Sequence, residues 1–151
     1  VAQDYYDILQ VFDHIVDILD DNRATLGIKY IAENDEALIP EYPAILVQTD
    51  RTQREHHATG QFMVRHHLDI WIFHAQLSVS AATRSRRDIE LATAVRKLLH
   101  ANRTLDGHII FGFVDGEFPG VSGRVVGTER IGIMTTRLTW AGELRAPFEV
   151  S

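Results

Sequence analysis

Phe62-Met63-Val64-Arg65-His66-His67-Leu68-Asp69-Ile70-Trp71-Ile72-Phe73-His74 is the stretch that decides the fold. At the two-residue period of a β-strand, Phe62, Val64, Leu68, Ile70 and Ile72 share one side, and Met63, Arg65, His67, Asp69, Trp71 and Phe73 share the other. The first side is core and the second is mixed. Trp71 and Phe73 next to Arg65 and Asp69 call for a second cover. That cover is either a helix of the same chain or a neighbouring protein, since aromatics and arginine are enriched at interface cores.

Upstream, Ala44 to Thr49 reads as a second strand. The polar run Asp50 to Gly60 between the two predicts an antiparallel hairpin whose tip stands away from the body. Ile28 to Ile31 reads as a short strand, followed by an acidic loop with Glu33, Asp35 and Glu36 that Pro40 and Pro43 close. At the N-terminus, Tyr5, Ile8, Leu9, Phe12, Ile15, Val16 and Leu19 recur at helical spacing, with Asp13, Asp17, Asp20 and Asp21 on the other side. Asp4 is the expected N-cap, Asp7 suits the first turn and Gly27 is the stop signal. Asp20 and Asp21 oppose the dipole at the helix C-terminus, so a basic neighbour or a partner surface is expected to offset them.

Downstream, Leu91, Ala92, Val95, Leu98 and Leu99 form the apolar stripe of a second amphipathic helix over Ala82 to Asn102. Arg84, Arg86, Arg87, Arg96 and Lys97 lie elsewhere on it, Ser78 or Ser80 is the expected cap, and His100 and Arg103 suit its C-terminal end. Ile109 to Val114 reads as a strand, Asp115 to Gly127 as a glycine-rich loop, and Val125 to Leu144 as a closing strand. A phase change near Gly132 implies a bulge there or burial on both sides. Together these predict one α+β domain over residues 1–151. It is an antiparallel or mixed β-sheet with two amphipathic helices packed on one face, plus a long β-hairpin and a glycine-rich loop, with the strand order open.

Length and composition narrow the function. At 151 residues and 17.1 kDa the chain holds one ordinary core. No apolar run approaches the roughly 20 residues of a membrane span. The absence of cysteine removes a disulfide framework, a thiol nucleophile and a thiolate zinc site. Val1 to Asp7 has neither a basic nor an apolar signal region, so secretory export is not expected. The net charge of −6 is unevenly spread, at −9 over residues 1–50, +5 over 51–103 and −2 over the remainder. That asymmetry argues against a nucleic-acid binder driven by counterion release. It suits either two solvated faces or a subunit whose opposite faces meet copies or partners.

Catalytic motifs are not legible. Gly120-Val121-Ser122-Gly123 lacks the nucleophile-elbow spacing, Lys29 and Lys97 follow no glycine-rich loop, and Asp115 and Glu117 flank a glycine in what reads as a solvated turn. Eight histidines are more than composition suggests. Only His66 and His74, or one His from each of the pairs His56-His57 and His66-His67, would share a strand face, and neither set has metal-ligand spacing. His66 is expected to be a hydrogen-bonded core residue, and no metal or cofactor is expected.

The layout resembles the tail terminator (tail completion, or neck) proteins of long-tailed bacteriophages. The resemblance lies in the helix Asp4 to Asp21, the entry Glu41-Tyr42-Pro43-Ala44-Ile45-Leu46-Val47, the strand Val64 to Phe73, the helix around Ile89 to Leu99, and Thr135-Thr136-Arg137-Leu138-Thr139-Trp140. It implies a non-enzymatic structural virion protein of the tail or neck, assembled in the host cytoplasm. Six copies would form a homohexameric ring that ends tail-tube polymerisation and joins the tail to the head-side connector, with DNA passing through without sequence-specific binding. Arg51, Arg54, His56, His57, Phe118 and Arg124 are the expected partner-binding residues, because the hairpin tip and the 115–127 loop are too polar or too glycine-rich to be core. Three alternatives stay open. One is another neck or tail-tube subunit, one a metal-binding enzyme using the His-rich hairpin, and one a monomeric small-molecule binding domain.

Overall fold

The computed structural model describes residues 6–33, 41–58, 60–75, 81–126 and 129–147; side chains at 57, 58, 75, 81–85, 121–126, 129–134 and 147 lie outside the description. In chain order the elements are α1 (Ile8–Asp21), α2 (Arg23–Leu26), β1 (Tyr30–Glu33), β2 (Ala44–Ala58), β3 (Gln61–Ala75), α3 (Ala81–Ala101), β4 (Phe111–Val126) and β5 (Glu129–Pro147). The strands form one mixed sheet in the order β1-β2-β3-β5-β4, parallel between β1 and β2 and antiparallel elsewhere. The α+β class and the mixed sheet agree with the sequence reading.

The core follows from β3. Val64, Leu68, Ile70 and Ile72 are buried, and β5 places Leu144, Trp140, Leu138 and Thr136 directly opposite them. Phe12, Ile15 and Leu19 of α1, together with Val95 and Leu99 of α3, join the same cluster. Two buried histidines on this side of β3 tie it to the helical layer. His66 Nε2 donates to the Tyr6 carbonyl at 3.1 Å, just ahead of α1, so its Nδ1 accepts the Thr52 hydroxyl at 2.8 Å. That makes His66 the hydrogen-bonded core residue expected from the sequence. His74 Nδ1 lies 3.0 Å from the carboxylate of Asp88 on α3. Burial keeps both rings neutral, lowering the pKa of His66 and pushing that of His74 down to about 4.

Several boundaries differ from expectation, each for a local reason. The N-cap of α1 is Asp7, whose side chain accepts the Gln10 amide while Gln10 accepts the Asp7 amide in a reciprocal capping box; Asp4 lies outside the described residues, as do Ser78 and Ser80. A short α2 follows, ended by Gly27 in the left-handed region at φ 72°. The first strand runs over Tyr30–Glu33, with Ile28 buried ahead of it. The polar run expected as a hairpin connection is strand down to Ala58, because pairing with β3 as far as Ala58↔Gln61 satisfies its backbone; the turn is at Gly60.

The expected glycine-rich loop over 115–127 is strand as far as Val126. Its backbone pairs with β5 from Gly116 to Val126, and side chains close over Gly116 and over two glycines near it. Gly112 and Gly142 face each other under the Trp140 indole, and Gly116 sits under Phe118 and Thr139. The bulge lies on β4 between Val114 and Gly116, whereas the pairing of β5 with β4 runs through Gly132 without a shift. β4 is an edge strand, and Pro119, which lacks an N–H, sits within it. The Gly112 amide donates to the Arg103 carbonyl at 2.6 Å and the Val114 amide to His100 Nε2 at 3.0 Å.

Two stability predictions follow from these contacts. A Cβ at Gly142 overlaps the Trp140 ring, so Gly142→Ala is expected to lose about 1–3 kcal/mol in urea denaturation. Because His74 takes up its proton more readily unfolded than folded, its contribution is complete above pH 6.5 and is lost as the pH falls toward 4, by on the order of 3 kcal/mol. His74→Gln, which keeps an N–H donor for Asp88 without a titrating ring, is expected to flatten the fall in stability between pH 7 and 4.5. An unchanged slope counts against this.

Candidate functional site

The side of the sheet opposite the core is built in rows, because the register aligns residues across four strands. One row runs Leu46↔Trp71↔Arg137↔Phe118. The Arg137 guanidinium lies 5.6 Å from the Trp71 ring centroid and 4.7 Å from that of Phe118, a cation between two aromatic faces. Phe73 extends the stack, nearly parallel to Trp71 with centroids 6.4 Å apart. Trp71 is fixed by its indole N–H, which donates to Gln48 Oε1 at 3.0 Å. Phe118 remains 51% exposed, so the row ends in an open aromatic.

The next rows are Gln48↔Asp69↔Thr139↔Gly116, Arg51↔His67↔Ala141↔Phe113 and Gln53↔Arg65↔Glu143↔Phe111. Thr139 donates to Asp115, His67 Nε2 lies 2.8 Å from Gln53 Oε1, and Arg65 pairs with Glu143 with Nε at 2.9 Å. Partial burial raises the Asp69 pKa, reinforced by Asp50. Burial, with Arg51 nearby, lowers that of His67. Phe111 and Phe113, 5.4 Å apart and both exposed, make a second aromatic patch beside Ile110.

The sequence-named residues divide between the two sides. Arg51 and Phe118 are on this open side, in different rows, and the Arg51 guanidinium is 3.0 Å from Asp50. Arg54 and His56 oppose Val64 and Phe62, so they project from the core-side surface of the hairpin, where both are exposed. The side chains of His57 and Arg124 lie outside the described residues, although both backbones are in strands. Sequence reasoning flagged Trp71 and Phe73 but missed Arg137, Phe111 and Phe113. Arg137 between the apolar-side Thr136 and Leu138 was the available signal, but its aromatic neighbours depend on strand order.

Elsewhere, a concavity of about 360 Å³ between α1 and the turn after α3 is lined by His14, Asp17, Ile18, Asp21, Asn22, Asn102 and Asp106. His14 there bridges the Tyr6 hydroxyl at 3.0 Å and Asp106 at 3.3 Å. Among the described residues no group of three or more histidines and carboxylates is arranged to hold a metal ion, and no helix is long and apolar enough to cross a membrane. Known proteins give no match to this chain, either as a family model or as a curated relative.

Proposed function

We propose that this chain is a structural subunit that assembles through side-chain surfaces. In its fullest form it is a tail-terminator-like protein whose ring of six copies ends a phage tail tube and joins the tail to the head-side connector. The observation that carries the reading is the Trp71–Arg137–Phe118 row on the open side of the sheet. Tryptophan and arginine concentrate binding energy at protein interfaces, and phenylalanine is enriched there. A cation–π contact worth about 0.5–1 kcal/mol in water strengthens to about 2 when a partner excludes solvent.

In this reading α1 and α3 both cover the core side of the sheet, which leaves the opposite side for a neighbour. The hairpin of β2 and β3, to which Arg54, His56 and His57 belong, serves as a second contact. The subunit works without catalysis or cofactor, in the tail or neck of a virion assembled in the host cytoplasm. A net charge of −6 suits a ring that DNA passes through, because a basic lining would hold the duplex by counterion release.

Light scattering and negative-stain imaging of the purified protein, with and without tail tubes, test this reading. A ring that binds tube ends supports it, and a lone 17 kDa particle that ignores tubes overturns it. Phe118→Ala and Arg137→Ala are expected to keep the parental circular dichroism while weakening tube docking by about tenfold or more. Unchanged docking by both removes the row from the interface.

A further inference from the structure

We propose that the exposed side of α1 in one copy docks antiparallel on the exposed side of α3 in a second copy. This rests on the self-assembly reading above and names the contact that would close the ring. α1 carries a net charge of −4 with no Lys or Arg, and α3 carries +3. Helical spacing aligns Leu9, Asp13, Asp17 and Asp20 along one stripe, and Arg86, Ile89, Thr93 and Lys97 along the other. Each stripe holds one large aliphatic side chain in the open, Leu9 at 61% and Ile89 at 66% exposure. An exposed apolar anchor among charges of a single sign is an interface arrangement, and the two stripes are opposite in sign.

Each helix also places part of its charge nearer the less favourable end of its dipole. α1 ends in Asp20 and Asp21 with no base in its last turn, where Arg23 beyond the end reaches Asp20 only at 3.7 Å. α3 has no acid in its first turn and places Arg86 and Arg87 in its N-terminal half. Asp13 and Asp17 stand at the repelling i, i+4 spacing. Antiparallel docking brings Asp20 and Asp21 to Arg86 and Arg87 and turns each unfavourable end toward its complement. The sheet order supports a contact between unlike patches, because α1 lies against β1 and β2 while α3 lies against β4 and β5. Such a contact propagates from copy to copy until it closes. Arg96 is already engaged by Glu117 at 3.3 Å, so Arg86, Arg87 and Lys97 carry the basic side.

The test uses two charge reversals on the full chain, Asp17→Lys with Asp20→Lys, and Arg86→Glu with Arg87→Glu, followed by light scattering at low salt. Each reversal is expected to weaken self-association at least tenfold while keeping the parental circular dichroism, since all four side chains are exposed. An equimolar mixture of the two is expected to reassociate, because every flank then meets its opposite. With no native cysteine in the chain, a short bis-maleimide is expected to join copies carrying Asp20→Cys to copies carrying Arg86→Cys and not to copies carrying Lys97→Cys. If the parent associates and both reversals associate equally well, or the mixture stays apart, the helix contact is wrong and the assembly reading stands. A parent that remains monomeric takes both down together.

Discussion

The structure depends on the unequal burial of the two sides of β3. Val64, His66, Leu68, Ile70, Ile72 and His74 are all buried, and every other element takes its place relative to that side. A strand's side chains alternate, so a one-residue slip would expose four aliphatics and bury Arg65 and Asp69 in exchange. At roughly 1.5–3 kcal/mol for each large aliphatic side chain, the register has no close competitor. The strand carries more than apolar bulk, because its buried row also holds two neutral imidazoles, His66 next to Val64 at one end and His74 at the other. One bonds to the start of the α1 region and the other to a carboxylate on α3. Buried polar pairs of this kind cost stability if mismatched, which makes them selective for one placement of the helices.

The same alternation makes the open side. With aliphatics committed to the core, the remaining positions hold side chains that bond to one another across the strands: Trp71 to Gln48, Arg65 to Glu143, Thr139 to Asp115. This cross-strand bonding makes the surface stiff, so a neighbour meeting it loses little conformational freedom there. Arg137 is the exception in kind. It makes its contacts to ring faces rather than to a carboxylate, and that leaves its charge available to a partner.

Much of the fold was legible because its periodic segments are strong. The faces of β3, the buried stripe of α3, the hydrogen-bonded role of His66 and the Phe12, Ile15 and Leu19 part of the α1 stripe follow from spacing, whereas Leu9, expected in that stripe, is exposed and Val11 and Ile18 are buried instead. What was not legible depends on pairing partners. Asp50 to Ala58 is polar enough to read as a loop, and only its register with β3 makes it strand. The glycines after Asp115 read as a loop, whereas pairing with β5 makes the run strand, and Phe118 and Thr139 close over Gly116. The open-side row was half visible, since Trp71 and Phe73 stand in one strand, but Arg137 and Phe118 join them only once the order β3-β5-β4 is known. The hairpin residues Arg54 and His56 were placed on the right element without any means of knowing which of its surfaces they would occupy.

The outer rim of β4 has a consequence for how large an assembly can become. Sheets grow into fibrils when a bare edge offers its amides and carbonyls to the next chain, and a sixteen-residue edge would be a generous template. Here two donors near its start are already spent on Arg103 and His100, and at Pro119 there is no donor at all. An incoming strand would find an interrupted ladder and would have to leave polar groups unmet. Amyloid-like stacking along that rim is therefore discouraged by the molecule itself.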